Sequence, residues 1–91
     1  MTMIDVWVEI DGSRVAQALH EAGEKLENAG GDVFLDFSAV RRVDPAGLRS
    51  LEEFAAAADE KAAKVTLRGV NVDVYKVLKL ARLSSRFAFV N

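Results

Sequence analysis

Cysteine is absent from the 91 residues of this chain, and histidine occurs only once, as His20. Without cysteine the chain can form neither a disulfide nor a thiolate metal site, and a single histidine excludes a site built from several imidazoles. No apolar run approaches the roughly 20 residues that a membrane-spanning helix requires. The first residues contain no basic segment followed by an apolar one, so we expect no secretion signal and a cytoplasmic location.

The chain also lacks an excess of charge of one sign. It has 14 acidic and 12 basic residues, and its formal net charge is −2. Proteins that bind nucleic acids normally carry a clear basic excess, so we do not expect a nucleic-acid partner. Hydrophobic residues make up 51% of the chain, which is enough to build one core. This length and composition predict one domain over residues 1–91.

Four segments have the pattern of β-strands. Residues 4–10 alternate between apolar and polar side chains, which is typical of a strand with one buried face. Residues 33–37 form a short apolar run, which is typical of a strand covered on both faces. Residues 64–68 alternate again, and residues 87–90 end the chain as a last short strand. Helical segments separate all four predicted strands.

The first predicted helix follows Asp11-Gly12-Ser13, which can cap it. Its buried positions recur at spacings of three and four residues, and Gly30-Gly31 provides a typical helix end. They are Val15, Leu19, Ala22, Leu26 and Ala29.

The second predicted helix begins at Asp44-Pro45. An aspartate can accept from the free amides of a first turn, and proline suits the first helical position. The third helix begins after Asn71 or Asp73. The predicted buried positions of these two helices are Leu48, Leu51, Phe54, Ala55, Ala58, Val74, Val77, Leu78 and Ala81.

The resulting order of elements is β-α-β-α-β-α-β. Strands joined through helices are parallel, and their crossovers are right-handed, so we predict a compact, single-domain α/β fold with a four-stranded, mostly parallel or mixed sheet and about three helices. The order of the strands across the sheet does not follow from the sequence.

Three segments of the chain, residues 33–38, 43–48 and 65–80, resemble the sequence pattern of a STAS domain. This module is named for sulfate transporters and anti-sigma-factor antagonists. The family typically shows an apolar strand ending in Asp-Leu-Ser, and then Asp-Ser-Ser-Gly-Leu at a helix start. Here residues 33–38 read Val-Phe-Leu-Asp-Phe-Ser, and residues 43–48 read Val-Asp-Pro-Ala-Gly-Leu. Residues 65–80 are similar to the strand, turn and helix that follow in the family. The resemblance covers about residues 32–90, and more loosely the first predicted strand and helix. It implies a STAS-like fold and a protein-binding, non-catalytic function.

Pro45 and Ala46 depart from the family pattern. In anti-sigma-factor antagonists a partner kinase phosphorylates the second serine of this motif, and the equivalent position here is Ala46, which has no hydroxyl group. The phosphorylation switch therefore does not carry over to this chain. The family also usually has a strand before the first one predicted here, and often a helix after the last; we predict neither.

A second, more local resemblance covers residues 65–83. This segment is similar to the small STAS subunit of Mla-type phospholipid transporters, which sits on a cytoplasmic ATPase. The resemblance implies two kinds of protein partner, an anti-sigma factor or other kinase-like ATPase and the ATPase of an ABC-type transporter. Neither reading implies a cofactor, a metal or a membrane-embedded segment.

The predicted partner-binding surface is the loop and start of the second helix. A helix N-terminus exposes unpaired amides and partial positive charge, and the neighbouring arginines extend that charge. In the simpler interpretation Asp44 satisfies those amides itself and the arginines are only solvated. The candidate residues are Ser38, Arg41, Arg42, Asp44, Pro45, Ala46, Gly47, Leu48 and Arg49.

Catalysis is not predicted. Asp11, Asp36 and Asp44 fall near the ends of elements, which leaves open an acidic phosphoacceptor pocket, but no lysine or hydroxyl lies at a recognisable spacing from them. The serines have no Gly-x-Ser-x-Gly context and no partner base, because His20 lies on a helix flank. The chain also has no glycine-rich phosphate loop.

Two other surface features remain open to more than one interpretation. Trp7 lies on the same face of its predicted strand as the polar residues Asp5 and Glu9. It is therefore either an interface anchor or a residue covered by a helix. A basic stripe is either a solvated helix end or a contact for an acidic partner or for headgroups. It comprises Lys76, Lys79, Arg82 and Arg86.

Overall fold

The computed structural model describes residues 5–27 and 31–90. The predicted order of elements is confirmed. The elements are β1 (Val6–Glu9), α1 (Val15–Glu27), β2 (Val33–Asp36), α2 (Pro45–Glu60), β3 (Val65–Arg68), α3 (Val72–Leu80) and β4 (Ala88–Val90). Predictions for Ile4, Ala29 and Gly30 fall outside the described residues. Across the ranges that the model describes, no helix combines the length and the apolar character needed to cross a bilayer.

The four strands form one sheet in the order β1-β2-β3-β4, and all three pairs are parallel. Right-handed crossovers between successive neighbours place the connecting helices on one face. Val8, Leu35 and Leu67 lie side by side across that face, and all three are buried. The buried residues of the three helices belong to the same core cluster as these strand residues. Of the predicted buried positions, Leu48 and Ala81 are only partly buried against this core, and Val77 is half-buried and lies outside the cluster.

The opposite face of the sheet carries Trp7. Its ring stacks on that of Phe34, with 5.7 Å between the ring centroids, and the Arg68 guanidinium lies 5.8 Å from the indole centroid. Trp7 nevertheless keeps 53% of its surface exposed. The interpretation in which a helix covers this side chain is therefore wrong.

Two side chains cap the N-termini of α2 and α3. The Asp44 carboxylate accepts from the Gly47 amide at 2.7 Å, and Pro45 occupies the first helical position, as predicted. Asn71 rather than Asp73 caps α3, since its side-chain oxygen accepts from the Val74 amide at 2.7 Å. These caps satisfy donors that a helix start otherwise leaves free, and each contributes about 1 kcal/mol to stability.

The basic stripe predicted on α3 is shorter in the structure. The helix ends at Leu80, and Arg82 lies beyond it with a φ of 60°. Arg86 belongs to a short 3₁₀ turn, Ser84–Arg86, and its guanidinium pairs with the Asp59 carboxylate at 2.6 Å. Sequence periodicity did not predict this turn, because three residues are too few to show a period. Lys76 and Lys79 are the stripe residues that lie on α3.

Candidate partner-binding site

Three loops that follow β1, β2 and β3 meet at the carboxyl edge of the sheet. The middle loop, residues 37–44, carries the predicted surface into α2. Gly12 of the first loop lies against the Ala39 carbonyl group, and Gly69 of the third lies against Ser38. Parallel strands bring their carboxyl ends to one edge, where open α/β sheets place their sites. The middle loop is therefore held from both sides.

Gly12 makes the closest of these approaches. A Cβ atom at this position would lie 2.0 Å from the Ala39 carbonyl oxygen, which is part of the backbone and cannot rotate away. Only glycine lets the two loops approach this closely. The chain therefore needs glycine here because of this close approach, which the predicted role of residues 11–13 as a helix cap did not indicate.

Asn71 holds the middle loop from the other side. Its side-chain amide nitrogen lies 3.3 Å from the carbonyl oxygens of both Val40 and Arg41, to which it donates. The same side chain caps α3 through its oxygen. Val40 is itself buried in the core, so the loop is anchored by one apolar side chain and one amide. The backbone of the exposed residues next to Val40, Ala39 and Arg41, is therefore held in place.

Replacing Asn71 separates these two roles. Asn71→Ser keeps an oxygen that can cap α3 but loses both donations to the loop, so the free energy of unfolding should fall by about 1 kcal/mol. Asn71→Ala loses the cap as well, and the total decrease should be about 2 kcal/mol. Urea unfolding followed by circular dichroism measures both. A Ser variant as stable as the wild type would show that the loop does not depend on this amide.

The start of α2 presents only part of the predicted surface. Asp44, Pro45 and Ala46 are exposed, but Gly47 is buried, and Leu48 packs partly against the core. A Cβ on Gly47 would lie 2.9 Å from the Val43 side chain, which explains a glycine inside a helical turn. Gly47 and Leu48 therefore support the site by packing beneath it. The accessible part of the surface is smaller than predicted.

Arginines outnumber the exposed carboxylate of Asp44 around the helix start. Arg41, Arg42 and Arg49 are exposed, and none of them has an ion pair within the part of the chain that the model describes. Arg14, at the start of α1, lines a shallow depression of about 410 Å³ together with Arg42 and Asp44. Four guanidinium groups thus lie on the loops and helix starts of this edge. Such a surface favours an acidic partner.

The nearby carboxylates already have local partners. The hydroxyl and the amide of Ser38 donate to Asp36 and hold the pKa of that carboxyl below its ordinary value, and Arg68 lies 3.6 Å away. The amide and hydroxyl of Ser13 likewise lower the pKa of Asp11. Because both pKa values are lower in the folded protein, their stabilisation is complete above about pH 4 and is lost as the pH falls further. These contacts favour a structural role over a phosphoacceptor pocket.

Sequence reasoning missed Arg14, the approach of Gly12 to Ala39 and the donations from Asn71. Each depends on contacts between loops that are far apart in the chain. One signal was available, because the residues that follow successive parallel strands gather at one edge of the sheet. Applied to Arg14 and Asn71, that rule places both residues at the edge that carries the middle loop; their positions beside that loop follow from the strand order, which the structure supplies.

Comparison with known proteins agrees with this architecture. The family model described as Mlab, STAS domain, matches residues 4–90. No curated protein shows significant sequence similarity to the chain.

Solved structures are similar in fold at low sequence identity. A crystal structure of a candidate anti-sigma factor antagonist from Thermotoga maritima has a TM-score of 0.77 and 16% identity, covering 99% of this chain and 83% of that one. RsbS from Moorella thermoacetica, with one serine replaced by glutamate, has a TM-score of 0.75 and 23% identity, covering 98% of this chain and 84% of that one. The family match spans nearly the whole sequence, and the fold agrees with it. The chain therefore belongs to the STAS domain family.

Proposed function

We propose that this protein is a non-catalytic module that binds a regulatory protein in the cytoplasm, in the manner of an anti-sigma-factor antagonist. The contact surface runs from Ser38 to Phe54 and centres on Ala46. The observation that carries the proposal is the exposed helix start, which follows a loop held from two sides and is flanked by arginines without an ion pair among the described residues. A rigid surface loses little conformational entropy when a partner binds.

The position at which the family is phosphorylated offers no switch in this chain. Pro45 and Ala46 carry no hydroxyl group, and the Asp44 carboxylate already occupies the Gly47 amide. A phosphate at this helix start would lack an attachment point and would meet a carboxylate that has the same charge. Phosphorylation at Pro45 or Ala46 is therefore excluded as a means of regulation, and the hydroxyl groups on the contact surface are those of Ser38 and Ser50.

A second candidate function is that of an accessory subunit of an ABC-type phospholipid transporter. The family model that matches residues 4–90 carries the Mlab description, which favours this alternative. The same exposed surface would then contact the transport ATPase. The two functions differ in the class of partner and share the geometry of the site.

Affinity purification from the native host tests the proposal. Tagged wild-type protein and a tagged Ala46→Glu variant serve as parallel baits, and mass spectrometry identifies proteins retained by the wild type alone. A histidine-kinase-like ATPase supports the regulatory function, and an ABC-type ATPase supports the transport function. If the two baits retain the same proteins in equal amounts, the contact surface does not lie at the start of α2.

A further inference from the structure

A groove between α1 and α2 lies apart from the exposed start of α2. It has a volume of about 280 Å³, and its floor is apolar. Leu19, Leu26 and Phe54 lie beneath that floor and are already buried. Gly23 from α1 and Ala57 from α2 are partly exposed and form the part of the floor that a partner can reach. Pockets for small molecules usually measure about 300–1,000 Å³ and enclose most of the ligand. This open groove is smaller and suits a side chain presented by a partner.

Gly23 keeps the groove open. It lies inside α1, where glycine costs about 1 kcal/mol relative to alanine. Unlike Gly12, it has no close neighbour, because a Cβ atom at this position would meet nothing within 4 Å. Packing within the chain therefore does not require glycine here. A side chain at this position would extend into the groove, so its absence leaves room there for an apolar side chain of a partner beside Ala57.

The rim of the groove is acidic. Carboxylates line it on both helices, namely those of Glu24, Glu27, Glu53 and Glu60. Lys61 is the one lysine or arginine in the lining, and its ammonium group donates to the Glu27 carbonyl oxygen at 3.2 Å. His20 lies 3.5 Å from the Glu24 carboxylate, and both side chains are exposed. The net charge of the lining is therefore negative, which is opposite to the charge at the start of α2.

We propose that this groove binds a basic amphipathic helix of a protein partner. An apolar side chain of that helix occupies the floor beside Gly23, and lysine or arginine residues one turn away contact the acidic rim. This is the helix-in-groove mode of recognition, in which apolar anchors supply affinity and complementary charges select the partner. The two surfaces adjoin on α2, because Ser50, Glu53 and Phe54 of the proposed contact surface also line the groove. The inference nevertheless does not depend on the function proposed for the start of α2, because Ala46 and the arginines there do not line the groove and attract the opposite charge.

A synthetic amphipathic peptide, with leucine on one helical face and lysine flanking it, provides the probe. Titration into isotopically labelled protein should shift the amide signals of α1 and of the second half of α2. Gly23→Leu fills the groove and raises helix propensity, so it should weaken binding about tenfold while the fold persists. Glu53→Lys on the rim should weaken it about fivefold, more at low salt than at high salt.

Glu52→Lys is the matched control, because Glu52 is exposed on the same helix but does not line the groove. Its peptide affinity should stay within about twofold of the wild-type value. Equal losses for Glu52→Lys and Glu53→Lys would overturn the proposal, because they would indicate attraction to the net charge alone. Unchanged binding by Gly23→Leu would also overturn it. So would concentration-dependent dimerisation through these helices, which would make a second copy of the chain the occupant.

Discussion

Ala46→Glu is expected to weaken binding to the captured protein partner by about 2 kcal/mol or more, which is roughly a thirtyfold loss of affinity. Ala46 is exposed in the first turn of α2, at the centre of the proposed contact. A glutamate there adds bulk and negative charge where the surrounding arginines favour an acidic partner. The fold should tolerate the change, because acidic residues suit the positive end of the helix dipole.

Ala56→Glu is the matched control for this prediction. Ala56 is also exposed on α2 but lies farther along the helix, away from its start. Calorimetry should show a wild-type dissociation constant for this variant, and circular dichroism should show the same helix content for both. Replacing Lys76 and Lys79 by glutamate should change affinity by less and mainly at low salt, because exposed charges are screened. If this double variant loses binding and Ala46→Glu does not, α3 is the contact.

Gly12→Ala is expected to lower the free energy of unfolding by about 3 kcal/mol. The added methyl group would lie 2.0 Å from the Ala39 carbonyl oxygen, so one of the two loops must move. That movement displaces the loop that leads into α2, and partner affinity should fall together with stability. Urea unfolding measures the first effect, and calorimetry under native conditions measures the second.

Gly23→Ala is the control for the same chemical change. A Cβ at Gly23 would meet nothing within 4 Å, and the residue lies inside a helix. Alanine should therefore raise the free energy of unfolding by about 0.5–1 kcal/mol. A Gly12→Ala protein of wild-type stability would mean that the two loops separate at little cost. The contact between the first and middle loops would then restrain the middle loop much less than its geometry indicates.

The sequence was most informative where short-range chemistry decides the structure. Asp44-Pro45 predicted the start of α2 to the residue, because capping and the fixed φ of proline both act within one turn. Alternation and apolar runs located the strands to within a residue or two at each described end. The strand ends differ because a strand ends where ladder hydrogen bonding stops, and side-chain patterns do not mark that point.

The details of the site were less accessible, because they depend on contacts between distant segments. Gly47 and Leu48 belong to the right motif, but their burial depends on how α2 packs against the chain near Val15. The choice of Asn71 over Asp73 as the α3 cap also required the structure, since both residue types cap helices well. The sequence therefore predicted where the surface begins, and the folded chain determines which of its residues face solvent.

The β1-β2-β3-β4 order also bears on how the chain folds and opens. Each strand pairs with the next one along the chain, so every pairing closes a connection that contains a single α-helix, followed in the last case by the short 3₁₀ turn. The entropic cost of closure is then similar for each step, and the sheet can grow outward from any adjacent pair. By the same logic β4, at one edge, should fray before the β2–β3 pair separates. Slow amide exchange in the middle of the sheet would then coexist with rapid exchange at this edge.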